Sequence, residues 1–504
     1  MKLNEFKKGS GPALNFARKA TATASPQERP IRPRSSREFN KKFPKNLSEN
    51  LKMLWQNWYG ARILILGFGK EGIDNFLFLR KLFPQKTIGI ADRNKKTLSY
   101  NFYGRGKSTI KTNTAKGIEK KVKLHLGEDY LKALKNYDVI IKSPGIPIHL
   151  PEVEKAYKQR KITSQTEIFL ENFRGKIIGV TGTKGKGTTA SLIYEILKTA
   201  GLKVRLGGNI GKPVMAALLK NDPNEIFVYE ISSHQLYNIT KSPQIAVFLN
   251  ISPAHLDYYK NFKEYIRTKA NITKYQKKND FLIYNSGDKI IGEIAKKSKA
   301  KKISFSAKNA IEFFKRRNKS PRKDINFLNM AAAISVGKIF GVSPRIIIKA
   351  IEKFKGLPHR LAFVGTHRGI LFYDDSAATV PEATFHALKT LGNRVQTIIL
   401  GGYESNVSFK ELAKNILNSE IKTLILFPPA GERIWKDIAS QGKSKKLPQH
   451  FFINNMKDAV KISYQETEKG KICLLSCAVP SFGIFKDYKE RGNLFKKYVK
   501  LFGN

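Results

Sequence analysis

The chain has 504 residues, 41% of them hydrophobic, which is enough for about three domains of ~150 residues, each with its own core. Basic residues outnumber acidic ones by 92 to 40, so the formal net charge is +52. No uncharged apolar run reaches the ~18 residues that a membrane-spanning helix needs, and the first residues lack the apolar centre of a secretory signal. The two cysteines exclude a disulfide framework, and we expect a cytoplasmic protein that does not act at a membrane.

The excess of positive charge has two explanations. One is binding to nucleic acid or to an anionic membrane, and the other is a lysine-rich surface without a specific partner. The lysines are spread along the whole chain, and no basic block with interleaved aromatic residues stands out. We therefore expect solvated lysines and no nucleic-acid partner. Residues 1–50 are rich in Lys, Arg, Ser and Pro with little apolar periodicity, which predicts a disordered basic tail.

Strand and helix patterns alternate from residue 62 onward, which is typical of doubly wound α/β domains. Apolar runs predict strands at residues 63–67, 87–92, 139–145, 176–180, 226–231, 245–250, 370–373, 397–401, 423–427 and 472–476. The breaks between these runs predict three stacked domains. Their expected limits are residues 51–172, 173–358 and 359–504.

The stretch GVTGTKGKGTTAS, Gly179–Ser191, carries the strongest functional signal. It follows a buried-strand pattern and opens into a helical one, and a glycine-rich turn ending in Gly-Lys binds nucleotide phosphates through backbone N–H groups and the lysine. The hydroxyl of Thr188 or Thr189 is placed to reach magnesium. The usual motif has Ser or Thr directly after the lysine, whereas Gly187 stands here. An ordinary glycine-rich turn is the alternative.

A second glycine-rich loop, Gly67-Phe-Gly-Lys-Glu-Gly72, follows the first predicted strand. Such a loop lets the backbone approach a pyrophosphate at a helix N-terminus. Asp92 ends the next strand, where a carboxylate usually bonds a ribose or base. The combination predicts a nucleotide site, and a turn kept only for helix–strand packing is the alternative.

Polar side chains follow several other predicted strands. Glu230 is placed to hold magnesium, and His255 to bind a second metal with Asp257 orienting its neighbours. Because ligands collect at the carboxyl edge of open α/β sheets, these positions favour function over helix capping or a structural histidine. The segments Asp374–Thr379 and Ser481-Phe-Gly follow strands of the third domain and suit either a closing substrate loop or a helix cap.

Together these clusters resemble the Mur ligase family, over nearly the whole chain beyond the tail. The matching segments, in order, are LGFGKEG, KSPGIP, GVTGTKGKGTT, GGNIG, EISSHQL, NISPAHLD, INFLN, GLPHR, DDSAAT and SFGIFKDYKERG. GLPHR, EISSHQL and the ERG segment resemble most the member that adds D-glutamate to UDP-N-acetylmuramoyl-L-alanine. The resemblance implies a Rossmann-like first domain that binds the UDP substrate, a central ATPase-like domain and a Rossmann-like third domain that binds the amino acid.

The resemblance also implies functional residues, position by position. ATP would meet Gly182, Thr183, Lys184, Gly185, Lys186, Gly187, Thr188, Thr189, Asn326, Asn329, Arg360 and Asp375. The UDP substrate would meet Gly67, Gly69, Gly72, Asp92, Ser143, Gly145 and Asn209, and the amino acid Thr379, Ser481 and Tyr488. Two Mg²⁺ ions would be held by Thr188, Glu230, His255 and a carbamylated Lys269. Lys186, Glu230, His255 and Lys269 would be the catalytic set.

The chain departs from the family pattern at several positions. Ile325 stands where a histidine is expected, and Gly187 where a hydroxyl is usual. Two lysines that face the incoming glutamate in the family are missing, since Ala377 and Ser405 occupy their positions. The absence of these two lysines affects the prediction of which amino acid is added more than the prediction of the reaction type.

The reaction implied is phosphorylation of a substrate carboxylate by ATP, followed by attack of the amino acid's amine on the acyl phosphate. It needs no protein nucleophile. The expected protein is a monomeric enzyme of peptidoglycan precursor synthesis. The alternatives are a sibling ligase that adds another amino acid, a basic nucleic-acid-binding ATPase, and a catalytically silent nucleotide-binding protein.

Overall fold

The computed structural model describes residues 49–95, 121–210, 214–237, 239–255, 258–322, 325–404, 407–442 and 447–503. These residues form two compact units, one extending to Phe354 and the other beginning at Lys355. The described part of the chain contains three β-sheets, two in the first unit and one in the second. The predicted tail lies outside the described residues, except that the helix Glu49–Trp58 begins within its expected limits.

The first sheet has five parallel strands in the order β3-β2-β1-β4-β5. They are β1 Ile63–Leu66, β2 Ile88–Asp92, β3 Val122–Leu126, β4 Val139–Lys142 and β5 Ile162–Thr163. The strand order reverses between β1 and β4, and ligands of open α/β sheets bind beside such a point. The loop Gly67–Gly72 follows β1 and therefore lies at this point.

The second sheet has six parallel strands in the order β11-β10-β9-β6-β8-β7. They are β6 Lys176–Thr181, β7 Val204–Gly208, β8 Ile226–Glu230, β9 Ile245–Phe248, β10 Phe281–Asn285 and β11 Lys301–Phe305. Because β6 pairs with both β8 and β9, the loop after β6 is flanked by Glu230 on one side and by the loop after β9 on the other.

The third sheet, in the second unit, has the order β12-β13-β17-β14-β15-β16. Its strands are β12 Ala362–His367, β13 Ile370–Asp374, β14 Val395–Gly401, β15 Thr423–Phe427, β16 Gln449–Phe452 and β17 Ile472–Leu475. All pairs are parallel except β12 with β13. The antiparallel edge strand β12 was not predicted, since its half-exposed residues form no apolar run. Asp374 is therefore the last residue of the second strand of this sheet in chain order.

Helices connect the strands. In the first unit they are Glu49–Trp58, Lys70–Leu82, Pro151–Lys158, Gln165–Asn172, Lys186–Thr199, Met215–Lys220, Ser233–Leu236, Phe262–Lys274, Lys289–Lys297, Ala307–Lys315, Phe327–Ile339 and Pro344–Lys353, with a 3₁₀ helix at Glu128–Asn136. In the second unit they are Pro381–Leu391, Lys410–Leu417, Ala430–Gln441, Met456–Glu466 and Tyr488–Gly503, with a 3₁₀ turn at Gly392–Arg394. No helix in the described ranges is long and apolar enough to cross a bilayer.

The central strands of each sheet are buried on both faces, as expected for parallel strands covered by helices. Ile63 and Ile65 of β1 point into one core, and Leu64 and Leu66 into another. The first of these cores also contains residues of the second sheet such as Tyr229, so the first two sheets share one hydrophobic interior. The prediction of three α/β domains is confirmed, and the shared core explains why the first two form a single compact unit. The exact domain limits remain a prediction.

Candidate functional site

The loop after β6 has the shape of a phosphate-binding turn. Gly185 has φ +83°, and a Cβ at this position would lie 2.4 Å from the Asn329 side-chain oxygen. Only glycine therefore fits between the loop and the helix Phe327–Ile339. The Asn250 side chain braces the loop by accepting from the Lys184 amide at 2.8 Å and donating to the Lys184 carbonyl at 3.0 Å.

Two lysines converge on one carbonyl of this loop. Lys186 Nζ donates to the carbonyls of Gly182 at 2.9 Å and Thr183 at 3.0 Å. Lys269 Nζ donates to the same Gly182 carbonyl at 2.9 Å, and its side chain is only 1% exposed. Burial and the neighbouring Lys186 charge hold the pKa of Lys269 well below its usual range. Burial at this position therefore disfavours the charged form of the Lys269 amine.

The hydroxyl residues after Lys186 face different surroundings. Thr189 is completely buried, whereas Thr188 is partly exposed. Of the two threonines considered for magnesium, Thr188 is therefore the accessible one. Thr183 Oγ1 lies 3.0 Å from the Tyr265 hydroxyl, which joins the loop to the helix that carries Lys269.

Glu230 and His255 flank the loop at the ends of the neighbouring strands. Glu230 ends β8, is 5% exposed, and accepts a hydrogen bond of 3.1 Å from the Asn209 side chain. His255 is exposed, has φ +56°, and its ring centroid lies 4.8 Å from that of His234. Among the residues that the structure describes, no three His, Cys, Asp or Glu side chains are grouped closely enough to hold a metal. Asp257 lies outside the described residues.

A cavity of about 320 Å³ within the first unit is lined by some of these groups. Its lining combines four predicted site residues of the central domain, Lys186, Asn209, His255 and Lys269, with Gly145 of the first domain. The lining also includes Glu71 and His234, which the sequence did not single out. Glu71 belongs to the GFGKEG segment, but the sequence analysis assigned it no role. Only the fold brings it into the same cavity lining as Lys186 of the phosphate loop.

Glu71 joins the first two domains through a buried hydrogen bond. Gln235 Nε2 donates to Glu71 Oε1 at 2.6 Å. Burial raises the pKa of Glu71 to about 7, and burial lowers the pKa of the neighbouring Lys142 to about 8.

The other residues predicted for the UDP substrate lie together at the edge of the first sheet. Asp92 accepts from the Phe68 amide of the glycine-rich loop at 2.7 Å, and Ser143 Oγ donates to the Gly67 carbonyl at 2.7 Å. A Cβ on Gly72 would lie 2.3 Å from the Gly67 carbonyl oxygen, so close packing requires glycine here. Gly69 and Gly145 have open space at their Cβ positions.

Asn326 begins the helix Phe327–Ile339 and accepts from the Leu328 amide at 2.9 Å, so its side chain caps that helix. Asn329 lies one turn further on, against Gly185. Ile325 is 5% exposed and packs in the hydrophobic core. Asn326 and Asn329 are both predicted to meet ATP, and Asn329 is the one that lies against the phosphate loop.

In the second unit, Arg360 precedes the first strand of the third sheet, and the remaining predicted residues follow its later strands. Arg360 is exposed, while Asp375 is 8% exposed and accepts from Ser476 Oγ at 2.8 Å. Burial raises the pKa of Asp375 to about 7. Thr379 and Ser481 follow the adjacent parallel strands β13 and β17, so both lie at the carboxyl edge.

Tyr488 begins the last helix, and its carbonyl accepts from Ser376 Oγ at 2.8 Å. Ala377 is partly buried beside this contact, and Ser405 lies outside the described residues. Arg491, which the sequence did not single out, is completely buried and donates to Ser376 Oγ at 3.0 Å. It was visible only as part of the ERG segment, because burial of an arginine has no signature in a single sequence.

Comparison with known proteins agrees with this geometry. The chain matches the family description "Mur ligase middle domain" over residues 180–340 and "Mur ligase, glutamate ligase domain" over residues 359–479. A protein of Acetivibrio thermocellus named UDP-N-acetylmuramoylalanine–D-glutamate ligase is 34% identical, with 76% of this chain and 86% of that protein covered. A Clostridium tetani protein of the same name is 33% identical, with 88% and 97% covered.

Solved structures show the same fold. A MurF structure from Acinetobacter baumannii has a TM-score of 0.52 at 17% identity, covering 75% of this chain and 83% of that chain. UDP-N-acetylmuramate-alanine ligase MurC from Thermotoga maritima has a TM-score of 0.51 at 16% identity, covering 88% and 99%. At these identities the two structures support the fold alone. The family matches and the sequence relatives show that the chain belongs to the Mur ligase family and is an ATP-dependent ligase that forms amide bonds.

Proposed function

We propose that the enzyme adds D-glutamate to UDP-N-acetylmuramoyl-L-alanine in the cytoplasmic synthesis of peptidoglycan precursors. The observation that carries the proposal is the cavity that joins Lys186 and Lys269 of the phosphate loop region to Asn209 and Gly145. A carboxylate substrate held there would lie beside the phosphates of ATP. The two relatives named above, which bear the name of this activity, support the choice of substrates.

The chemistry follows from the positions of the charged groups. Lys186 would exchange its two loop carbonyl partners for phosphate oxygens when ATP binds. A carboxylate oxygen of the muramoyl substrate attacks the terminal phosphorus, the bond to ADP breaks, and an acyl phosphate forms. The uncharged amine of D-glutamate then attacks the acyl carbon. Phosphate leaves with the bonding electrons, and the amine proton passes to solvent or phosphate.

Magnesium fits this site as an ion held jointly by protein and substrate. Mg²⁺ usually binds one or two carboxylates together with phosphate oxygens and water, so the lack of a three-residue cluster among the described residues agrees with this mode. Glu230 and Thr188 would hold one ion and His255 a second. When bound, the ions neutralise charge that develops on the transferred phosphoryl group. The proposed number of ions is two.

Lys269 would contribute to the second ion after carbamylation. Two ammonium groups on the single Gly182 carbonyl repel each other, and burial favours a neutral Lys269. A neutral amine attacks the carbon of CO₂, forming an N–C bond and releasing one proton to solvent. The resulting carbamate would supply oxygen atoms of the kind that Mg²⁺ prefers.

The remaining residues and domains complete the proposal. The three domains, with limits near residues 172 and 358, would bind the UDP substrate, ATP and the amino acid respectively. Arg360, Asp375, Asn326 and Asn329 would contact ATP, and Thr379, Ser481 and Tyr488 the amino acid. We propose a monomer without a nucleic-acid partner. Ala377 is the observation that keeps a sibling ligase with another amino acid as the second candidate.

The test is phosphate release from ATP with UDP-N-acetylmuramoyl-L-alanine and a panel of amino acids. The panel contains D-glutamate, L-glutamate, D-aspartate, L-lysine and meso-diaminopimelate. We expect the highest kcat/KM with D-glutamate. A higher kcat/KM with another amino acid would reject D-glutamate as the substrate, while the assignment as an ATP-dependent ligase would stand. Release that responds to DNA or RNA and not to the muramoyl substrate would reject the proposed function.

A further inference from the structure

Arg491 lies in the first turn of the helix Tyr488–Gly503 and has none of its surface exposed. Its guanidinium contacts loops that follow two neighbouring strands. Nη2 donates to the carbonyls of Ser376, after β13, at 2.9 Å and Val479, after β17, at 3.3 Å. Nη1 lies 3.3 Å from the Cβ position of Gly402, after β14. One side chain thus reaches the loops of three adjacent strands.

The guanidinium has neutral partners only. Arginine stays protonated inside proteins, and a buried charge without a counter-charge is unfavourable. Among the described residues, no carboxylate lies within the 4.0 Å of an ion pair with Arg491, and its Nη1 has no hydrogen-bond partner. A positive charge is therefore held beneath the carboxyl edge of the third sheet.

The acidic residues nearby make their contacts with other groups. Asp374 faces Lys496 at 3.2 Å and His359 at 2.7 Å, so its charge already has partners. Asp375 is buried against Ser476, and burial raises its pKa to about 7, so it is only partly ionised at neutral pH. An anion bound at this edge would supply the missing negative charge.

The loops that Arg491 contacts are those proposed to hold the amino acid. Ser376 joins Arg491 to Tyr488, because it accepts from Arg491 Nε and donates to the Tyr488 carbonyl. Val479 lies two residues before Ser481. No cationic side chain is present at Ala377 or Ser405, although a dicarboxylic amino acid needs a donor or cation for its side chain.

We propose that Arg491 makes the amino-acid pocket selective for an anionic side chain. This inference rests on the proposed function and names the source of its specificity. Arg491 is a positioning residue, since it is buried and acts through the loops and through its electric field. A buried charge is screened little by solvent and salt, so it favours a carboxylate over a neutral amide at the same place.

The experiment compares D-glutamate with D-glutamine, which has the same shape and no side-chain charge. Arg491→Gln and Arg491→Lys are assayed with Arg394→Gln as the matched control. Arg394 is exposed and precedes β14, at the opposite end of the strand from Gly402. KM for both amino acids, KM for ATP, kcat and the melting temperature are measured for each variant.

We expect Arg491→Gln to raise KM for D-glutamate about 10- to 100-fold, the range for a lost charge interaction. KM for D-glutamine and ATP should change little, so the preference for glutamate falls. Arg491→Lys should keep part of that preference, and Arg394→Gln all of it. A purely structural Arg491 would instead lower the melting temperature and impair both amino acids equally.

Three results would overturn the inference. They are an unchanged preference in folded Arg491→Gln, a preference lost equally in Arg491→Lys and Arg491→Gln although only the first keeps the charge, and a wild-type enzyme that uses D-glutamine as well as D-glutamate. The last result needs no variant, so it decides the matter even if both variants fail to fold. A wild-type enzyme inactive with D-glutamate would reject the proposed function itself. Activity with an unchanged charge preference would reject only the role of Arg491.

Discussion

Lys186 and Lys269 donate to the same backbone carbonyl, that of Gly182, but they differ in burial and therefore in expected role. Lys186 lies at the first position of its helix and lines the cavity, so its ammonium group is placed to reach a bound phosphate group. Lys269 is buried behind it, where an ammonium group is disfavoured. The same residue type thus lines the cavity in one case and is buried, with its charged form disfavoured, in the other.

Lys186→Ala should reduce kcat for phosphate release by roughly 10²–10³-fold, the usual effect of removing one group that stabilises transition-state charge. Its melting temperature should stay close to that of the wild type, because the helix keeps its other contacts. Lys198→Ala is the matched control, since Lys198 is exposed in the last turn of the same helix. Near wild-type phosphate release from Lys186→Ala would remove this residue from the reaction.

Lys269→Arg should be inactive, because a guanidinium stays charged and does not add CO₂. Wild-type enzyme prepared in ¹³C-bicarbonate should show one carbamate signal by NMR that Lys269→Arg lacks. Lys274→Arg, an exposed position at the end of the same helix, should keep both the signal and the activity. A fully active Lys269→Arg would contradict the carbamate proposal.

The phosphate loop joins its helix through Gly185, a residue with left-handed backbone geometry. Gly185 and Gly201 have similar φ values of +83° and +78°, at opposite ends of the helix Lys186–Thr199. A Cβ on Gly185 would crowd Asn329, while Gly201 has nothing within 4 Å. A substitution at either position introduces backbone strain, but only one at Gly185 also crowds the loop, so comparing the two distinguishes these effects.

Gly185→Ala and Gly201→Ala should both lose stability by about 1 kcal/mol from backbone strain alone. Only Gly185→Ala should also raise KM for ATP, by about tenfold or more, because the loop must move to admit the methyl group. Kinetics and melting curves of the two variants provide the comparison. Equal effects on KM for ATP would show that Asn329 does not constrain the loop.

The helices that begin at Lys70 and Ser233 meet through Glu71 and Gln235, and this contact should depend on pH. The pKa of Glu71 is raised to about 7, so the folded protein keeps a proton that the unfolded chain loses near its usual pKa. Stability then falls as pH rises between these values, by at most about 3 kcal/mol at pH 8. The nearby Lys142 charge favours ionised Glu71 and reduces this effect.

Glu71→Gln should therefore raise the melting temperature relative to wild type at pH 8, and much less at pH 5. Glutamine keeps an acceptor for Gln235 and removes the ionisation. Glu128→Gln is the control, since the Glu128 side chain is 80% exposed. A melting-temperature difference that is the same at both pH values would show that Glu71 is ionised throughout.

The elements that the sequence predicted correctly are those with a continuous apolar run. Strand Thr423–Phe427 was placed without error, since all five of its residues are buried. Edge strands such as β12 and β16 were missed, because their partly exposed residues resemble loops.

The candidate site was predictable where one local motif defines it, as at Gly185-Lys186. Groups that come together only through the fold were not predictable from the residues alone. Lys269 is known from resemblance, and only its burial against Gly182 gives the physical reason. Glu71 and Arg491 were missed, because a charged residue in one sequence is normally solvated, whereas Glu71 is partly buried and Arg491 fully buried.

At the scale of the whole molecule, the net charge of +52 is spread over the folded units. Residues 1–45 carry 12 basic and 3 acidic residues, so most of the excess lies outside the tail. Many of the other lysines are exposed, and several form surface ion pairs such as Lys422 with Glu468 at 2.8 Å. Such pairs contribute little to stability and keep the surface solvated.

Deleting residues 1–45 should therefore leave kcat and the KM values for ATP and both other substrates unchanged. The reason is that this segment lacks the apolar periodicity needed to pack against a domain. Deleting residues 1–58 is the contrasting variant, since it also removes the helix Glu49–Trp58 and with it Trp55, which is 2% exposed and stacks on Phe83. Removing a buried tryptophan should destabilise the first unit by roughly 3–5 kcal/mol. Melting curves and phosphate release at moderate salt would distinguish the two deletions, and equal losses in both would show that the tail is part of the folded enzyme.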